Sequence, residues 1–209
     1  MVLSATGVSF AYNDGRTIVD GLTIDAGAGA VLVVGDNGAG KSTLGRLLCG
    51  LLEPSAGTVT IQGRDVHACR GLDRYRLAAY MPQRTQTYLM WSSVREEVHF
   101  SMRHLPIDRR ERESRAEDLF SRYALADVLD RNPADLSFSE AWRLVFVLCV
   151  LGRPALLYVD ESLAFSSGLA RRLFTDALRD RAAQGLLTMV TVHRPVDYLE
   201  PLAQHVIRL

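Results

Sequence analysis

The sequence predicts an α/β fold with a mostly parallel sheet flanked by helices. Short apolar strand patterns alternate with helical patterns along the 209 residues, which is typical of parallel sheets with helical crossovers. The first two strand patterns are separated only by the turn signal Asn13-Asp14-Gly15, so we expect a small antiparallel sheet beside the main one. A long helical block, from Ser92 to Leu151, predicts an inserted helical subdomain over approximately residues 84–152.

The individual elements follow from residue patterns in chain order. Strand patterns, rich in apolar and β-branched residues between turn signals, cover residues 2–12, 17–24, 31–34, 58–62, 76–81, 155–159, 187–192 and 205–209. Helical patterns cover residues 43–52, 92–127, 139–151, 169–183 and 195–202. Pro106 should divide the second of these helices, because proline lacks the backbone N–H that a helix interior needs. We expect the charge run 108–115 to be a solvated helix face.

Composition limits the classes of function. The length and a hydrophobic content of 48% fit one packed domain, residues 1–209, that includes the small subdomain. Lys+Arg 24 balances Asp+Glu 24, so no basic excess indicates nucleic acid as a partner. The three cysteines are well separated and odd in number, which indicates no metal site or disulfide framework and favours a reducing compartment. The longest apolar run, 144–151, is too short to span a bilayer, so a membrane role requires a partner that does.

A glycine-rich loop between an apolar strand and a helix is the central motif. It consists of Gly35, Asp36, Asn37, Gly38, Ala39, Gly40, Lys41 and Ser42, followed by Thr43. This is the pattern of a P-loop, whose glycines let backbone N–H groups point inward as an anion cradle at a helix N-terminus. Lys41, the only lysine of the chain, would reach the β- and γ-phosphates, and the Ser42 hydroxyl would bind Mg²⁺. The alternative is a glycine-rich turn with a chance Lys-Ser pair.

A second motif supports nucleotide binding. The apolar stretch 156–159 ends in two carboxylates, Asp160 and Glu161, which is the pattern of a Walker B strand. Asp160 would hold Mg²⁺ through water, and Glu161 would polarise the attacking water. The alternative is a buried strand that is merely capped by acidic residues. The guanine-recognition sequence Asn-Lys-x-Asp is absent, since the only lysine lies in the P-loop.

With Gln83 and His193 in the same order, these motifs make the chain resemble the nucleotide-binding domain of an ATP-binding cassette (ABC) protein over essentially its whole length. The resemblance implies an ATPase that uses ATP and Mg²⁺ in the cytoplasm, on the inner face of the cell membrane, beside transmembrane transporter subunits. It implies that Tyr12 stacks on adenine, that Gln83 senses Mg²⁺ and links to the membrane partner, and that His193 contacts the γ-phosphate. Taken singly, each has a bland alternative, as a core aromatic or a polar residue at a strand end.

Two segments depart from the pattern of that family. The family's signature Leu-Ser-Gly-Gly-Gln appears here as Leu136, Ser137, Phe138, Ser139 and Glu140, and the aspartate that usually follows the Walker B motif is missing from 162–167. In ABC proteins one domain gives an ATP its P-loop and Walker B motif, and a second domain gives it the signature. We therefore hypothesise a heterodimer, in which a different ABC ATPase supplies an intact signature to this chain's ATP. A homodimer with two weakened sites is the alternative.

Other functions remain open at this point. The stretch 93–100 resembles a segment of energy-coupling-factor and cobalt/nickel importers, which favours import. The apolar cluster 88–91 either lines a groove for a membrane subunit or packs under the helical subdomain. The alternatives to an importer ATPase are an exporter ATPase, a regulatory nucleotide-binding subunit with negligible turnover, and a DNA-repair or ribosome-associated ATPase. The last usually needs a coiled-coil insertion or a second cassette, for which this length leaves no room.

Overall fold

The computed structural model describes residues 1–13, 15–103, 105, 107–160, 168–194 and 196–209. Its strands are β1 (Leu3–Ala11), β2 (Thr17–Ala26), β3 (Gly29–Val34), β4 (Ala56–Ile61), β5 (Arg64–Asp65), β6 (Ala78–Met81), β7 (Leu156–Val159), β8 (Leu187–Val192) and β9 (Ala203–Arg208). Its α-helices are α1 (Lys41–Leu48), α2 (Gly71–Leu77), α3 (Val94–Arg103), α4 (Arg109–Arg122), α5 (Phe138–Val150) and α6 (Gly168–Ala183). This alternation confirms the predicted α/β class.

The larger sheet is parallel throughout and has the strand order β6-β7-β8-β3-β9. Its central strands β7 and β8 are buried at every residue, which explains why their sequences are apolar without alternation. Because parallel strands end at the same edge of a sheet, the loops that follow β3, β6, β7 and β8 lie side by side. These four loops carry the P-loop, Gln83, Asp160 and His193.

The smaller sheet is antiparallel and has the order β2-β1-β4-β5. It begins with the predicted hairpin of β1 and β2, and it packs with α1 against one face of the larger sheet. A single cluster of buried apolar side chains joins the three layers, with Leu3 from β1, Leu47 from α1 and Tyr158 from β7 among its members. The P-loop helix is therefore held between the two sheets.

The helical block after β6 contains α3, α4 and α5. Pro106 itself lies outside the described residues, but α3 ends at Arg103 and α4 begins at Arg109, so the block is divided where the sequence predicted. The Asp108 carboxylate caps α4 by accepting a hydrogen bond of 2.8 Å from the backbone N–H of Glu111. Most residues of the charge run 108–115 are exposed, as expected for a solvated face, whereas most of α5 is buried.

The predicted helix over 195–202 is wrong. Within the described residues of this segment, the backbone forms turns and a short 3₁₀ helix at Glu200–Leu202. Pro201 cannot donate the backbone hydrogen bond that an α-helix would need at its position. The segment is instead a tight connection, with a hydrogen bond of 2.8 Å from the N–H of Leu199 to the carbonyl of Val196, leading into β9.

Helix α2 and the end of helix α1 also differ from the prediction. Helix α2 was not predicted, and it takes residues 76–77 that were assigned to a strand. It has only seven residues, too few for its periodicity to be recognised in the sequence. Helix α1 ends at Leu48 rather than at residue 52, because Gly50 has a φ of 69° and the N–H of Leu51 returns to the carbonyl of Arg46 at 2.7 Å.

Candidate nucleotide-binding site

The P-loop connects the end of β3 to the start of α1, which is the strand–loop–helix context that the sequence predicted. Gly38 and Gly40 have φ values of 83° and 95°, a region that residues with a side chain rarely adopt. A Cβ at Gly40 would also lie 2.7 Å from Cγ2 of Ile18 on β2. The curled loop is closed by a hydrogen bond of 3.2 Å from the N–H of Ala39 to the carbonyl of Asp36. Backbone geometry thus explains why glycines stand at these positions.

The Lys41 side chain is folded over the P-loop. Its Nζ atom donates hydrogen bonds of 2.6 Å to the carbonyl of Gly35 and 3.0 Å to the carbonyl of Asp36, and the residue is only 6% exposed. A buried ammonium group among backbone acceptors forms stronger, charge-assisted bonds when phosphate oxygens are supplied. The loop is therefore arranged to receive an anion beside the first turn of α1, where Ser42 and Thr43 also lie.

Tyr12 lies close to the start of the P-loop helix. Its hydroxyl group is 3.2 Å from Oγ1 of Thr43, and its ring contacts that of Phe10 edge-on, with centroids 5.0 Å apart. The residue is 40% exposed. Tyr12 therefore lies beside the P-loop, and its role in stacking on adenine stays a prediction.

The remaining predicted site residues follow the parallel strands at the same edge of the sheet as the P-loop. Gln83 follows β6, Asp160 follows β7 directly, and His193 follows β8 directly. Gln83 and His193 are exposed, while Asp160 is 3% exposed. Glu161 lies outside the described residues, as does the whole of the segment 162–167 with its missing aspartate.

The Asp160 carboxylate is held by hydroxyl groups from the two neighbouring strands. Tyr80 of β6 donates to Oδ2 at 2.5 Å, and Thr191 of β8 donates to Oδ1 at 3.2 Å. Burial and the bond to Asp160 raise the pKa of Tyr80, so the phenol stays protonated and acts as the donor. A charged carboxylate has about four acceptor positions, so two hydroxyl donors leave room for a water bound to a metal ion.

Tyr158 connects the Walker B strand to the P-loop helix. Its hydroxyl group donates to the carbonyl of Lys41 at 2.7 Å, and its ring lies so close to Gly45 of α1 that a Cβ there would overlap it. Tyr158 also stacks on Tyr80, with ring centroids 6.0 Å apart. Sequence reasoning missed Tyr80, Tyr158 and Thr191. The available signal was spacing, because Tyr158 and Asp160 are two residues apart and project from the same face of a strand.

The altered signature begins α5 and forms a complete capping box. Ser137 accepts a hydrogen bond from the backbone N–H of Glu140, and the Glu140 carboxylate accepts bonds from the N–H and hydroxyl of Ser137 at 2.8 and 2.6 Å. These bonds lower the pKa of Glu140, and Arg131 pairs with the carboxylate at 3.2 Å. Leu136 is buried, Ser139 half-buried and Phe138 40% exposed. The N-terminus of α5 is thus occupied by the chain's own carboxylate.

A groove of about 780 Å³, which we call the β6 groove, runs along the outer edge of the larger sheet. Its lining includes Arg46, Leu72, Tyr75, Tyr80, Tyr88 and Phe100. The apolar cluster 88–91 divides between the two alternatives left open by the sequence: Tyr88 lines the groove and is 52% exposed, whereas Leu89 packs against the core. Among the described residues, no helix is both long and apolar enough to cross a membrane.

A strand, a loop and a helix hold a buried lysine, and a buried carboxylate lies two strands away. Together these features define a P-loop nucleotide-binding fold. A family model described as ABC transporter matches residues 19–164. The chain therefore belongs to the ABC transporter family, which confirms the resemblance seen in the sequence.

Individual relatives agree with this assignment. The energy-coupling factor transporter ATP-binding protein EcfA1 of Lactiplantibacillus plantarum is 29% identical over 167 residues, which are 80% of this chain and 59% of that protein. A putative ABC transporter ATP-binding protein of Archaeoglobus fulgidus is 29% identical over 209 residues, covering 100% of this chain and 86% of the relative. The match thus spans less than two thirds of the EcfA1 relative but most of the archaeal one.

Solved structures share the fold. The cbiO1 structure from Clostridium perfringens, described as part of the ABC transporter complex cbiONQ, has a TM-score of 0.83 at 20% identity and covers 99% of this chain and 84% of its own. A structure of an ATP-binding subunit of an ABC transporter has a TM-score of 0.87 at 22% identity, with coverage of 100% and 86%. At these identities the similarity supports the fold, including its two sheets, and not a particular substrate.

Proposed function

We propose that this chain is the ATP-binding and hydrolysing subunit of a transporter that powers solute movement, with import favoured, through separate membrane subunits. One observation carries the proposal. Lys41, which is bonded to carbonyls of the P-loop, and the buried Asp160, which is bonded to two hydroxyl groups, lie at the same edge of a parallel sheet. Phosphates fit the loop, and hydroxyl, carboxylate and amide oxygens are ligands that Mg²⁺ accepts. ATP binding alone, measured as nucleotide affinity of the isolated chain, is the first test.

The site residues have separate roles in this proposal. The loop N–H groups and Lys41 bind the phosphates, and Tyr12 stacks on adenine. Ser42 and Gln83 would ligate Mg²⁺, and Asp160 would hold it through water, where a bound ion would supply positive charge for the phosphates. Glu161 polarises the attacking water, and His193 contacts the γ-phosphate. The helical subdomain, about residues 84–152, carries the signature to the other subunit's nucleotide.

We propose further that the chain works as one half of an asymmetric heterodimer. The self-capped signature supports this, because the Glu140 carboxylate lies beside Ser137 at the helix N-terminus where a partner's phosphate would approach. Two like charges at such a site repel each other, and Phe138 adds bulk where the family has glycine. This chain's own ATP then depends on the signature of a second ABC ATPase. A homodimer remains the alternative, and equal turnover with and without an unlike subunit would favour it.

Restoring the signature is expected to activate the partner's site. The test uses a heterodimer in which this chain's own ATP site is silenced by Lys41→Ala. The double change Phe138→Gly and Glu140→Gln should raise the remaining ATP turnover, that of the partner's site, by about tenfold, because repulsion and bulk are both removed. Turnover is measured by phosphate release at saturating ATP. Glu117→Gln, which removes an exposed charge of α4, is the matched control and should change nothing. Unchanged turnover of the double variant would mean that the signature does not limit that site.

The β6 groove supports a specific membrane partner, namely a helical segment of the transmembrane subunit with an apolar face and an acidic residue. The lining is mostly apolar, and Arg46 and Arg74 both border it with positive charge. The subunit would then reside at the inner face of the cell membrane without spanning it. This position also fits the similarity to cbiO1, which is described as part of an ABC transporter complex.

A charge placed in the groove should separate this chain from its membrane partner. Tyr88→Asp is expected to abolish co-purification with the transmembrane subunit while ATP affinity stays within about twofold of wild type. The new carboxylate would have to be desolvated at an apolar contact, and it would compete with the partner's acidic residue for the arginines that border the groove. Val206→Asp is the control, since Val206 is 41% exposed on β9 at the opposite edge of the sheet. Co-purification of the Tyr88 variant at wild-type yield would exclude the groove as the contact.

The second candidate function is a regulatory subunit that binds ATP with negligible turnover. The capping box of Ser137 and Glu140 favours this second function, because signature residues that bond to each other are less available to a partner's nucleotide. The two candidates differ in one measurement, the ATPase activity of the purified chain before and after adding the second ATPase subunit. Stimulation by that subunit, abolished by Lys41→Ala in this chain, supports the transporter ATPase, whereas turnover that is unaffected by Lys41→Ala supports the regulatory subunit.

A further inference from the structure

We propose that Tyr80 is a positioning residue of the ATPase reaction, which holds the Asp160 carboxylate and connects it to the β6 groove. The inference rests on the proposed function, because it assigns a role at the same nucleotide site. Tyr80 is part of neither the P-loop nor the Walker B motif. The geometry around its hydroxyl group and its ring is what assigns it this role.

The hydroxyl group fixes the orientation of the carboxylate. Tyr80 donates to Oδ2 of Asp160 at 2.5 Å from one side, and Thr191 donates to Oδ1 at 3.2 Å from the other. The backbone N–H of Asp160 donates to the carbonyl of Met81, the residue after Tyr80, at 2.8 Å. Because the carboxylate is 3% exposed, bulk water cannot readily replace a lost hydroxyl donor. The direction of its remaining lone pairs therefore depends on Tyr80.

The ring of Tyr80 reaches the groove. It lines the β6 groove together with Arg46, whose guanidinium carbon is 5.9 Å from the ring centroid. Arg46 belongs to α1, the P-loop helix. The ring of Tyr158 stacks on that of Tyr80, and the Tyr158 hydroxyl group donates to the carbonyl of Lys41. A side chain that enters the groove would thus press on the ring whose hydroxyl group orients Asp160.

Tyr80→Phe isolates the hydroxyl group, because the ring and its stacking remain. ATP affinity in the presence of a chelator should stay within about twofold of wild type. The Mg²⁺ concentration for half-maximal hydrolysis, measured in the complex with the second ATPase and the membrane subunit, should rise by about tenfold, since a hydrogen bond to a buried charge is lost. The maximal rate at saturating Mg²⁺ should change much less. The substitution should therefore raise the Mg²⁺ half-saturation without a comparable change in the maximal rate.

Tyr123→Phe is the matched control. Tyr123 is 3% exposed and is not part of the lining of the β6 groove, and its ring packs on that of Phe146 with centroids 5.4 Å apart. This variant should not change the Mg²⁺ dependence, so a general effect of removing a phenol hydroxyl group from the interior is subtracted. In addition, removing the membrane subunit should shift the Mg²⁺ half-saturation of wild type and leave that of Tyr80→Phe unchanged.

The failure of this inference differs from the failure of the proposed function. If wild type binds and hydrolyses ATP but Tyr80→Phe has the same Mg²⁺ half-saturation, Tyr80 does not position Asp160. An equal shift in Tyr80→Phe and Tyr123→Phe overturns the inference as well, since the effect is then general. If the wild-type chain binds no nucleotide in the complex, the proposed function itself is wrong.

Discussion

Replacing Glu161 by glutamine is expected to lower ATP hydrolysis by about 10²–10⁴-fold, because the amide can no longer accept a proton from the attacking water. The affinity for ATP should stay close to that of wild type, since the P-loop and Lys41, and not this residue, bind the phosphates. Loss of turnover should also stabilise the dimer in which ATP lies between this chain and the second ATPase. Size-exclusion chromatography with ATP would detect this dimer as a larger species. Glu161 lies outside the described residues, so this prediction rests on its position next to Asp160 in the sequence.

A control makes that result specific. Glu53→Gln removes a carboxylate from an exposed position after α1 and should leave hydrolysis unchanged. If Glu161→Gln hydrolyses ATP at the native rate, another group is the base. If both binding and hydrolysis are lost, the substitution has disturbed the site as a whole, and the role of general base receives no support.

Lys41→Ala is expected to weaken ATP binding by about 10–100-fold, since hydrogen bonds between charged groups contribute roughly 1.5–3 kcal/mol. Lys41→Arg should rescue little of this loss, because the residue is 6% exposed and the planar guanidinium is larger and differently shaped. Titration calorimetry with a non-hydrolysable ATP analogue measures both affinities. Arg70→Ala, which removes an exposed cation that bonds to its own neighbours, is the control.

The outcome would also locate the nucleotide. If Lys41→Ala keeps wild-type affinity, ATP binds away from the P-loop, and the proposed function is wrong. If Lys41→Arg binds as well as wild type, the loop has more room than its two carbonyl contacts indicate, and the shape argument fails while the charge argument stands.

Much of the fold could be predicted because its signals are local. The P-loop, the buried strands β7 and β8 and the division of the block near Pro106 each depend on a few neighbouring residues, and they lie where the patterns place them. The failures have local causes too. Helix α2 is too short to show its period, and Pro201 is unfavourable in the α-helix that was predicted over 195–202.

The site was predictable only in part, because several of its contacts join distant residues. The hydrogen bond between Tyr80 and Asp160 joins two segments that are far apart in the sequence, and no periodicity of the sequence predicts it. The direction of Glu140 was also undetermined by the sequence, which left open whether the carboxylate faces a phosphate. The structure turns it back to Ser137, as the Ser-x-x-Glu spacing of a capping box would have indicated.

The contact between Gly45 and Tyr158 has a consequence for how this chain can diverge. A larger residue at position 45 would collide with the phenol ring, and a smaller one at position 158 would leave a void and free the carbonyl of Lys41. Neither single substitution is neutral, so an exchange of sizes must proceed through a weakened intermediate. We therefore expect the two positions to vary together among descendants of this sequence. A small residue at position 45 with an aromatic one at position 158 should be replaced only by a large residue at position 45 with an aliphatic one at position 158.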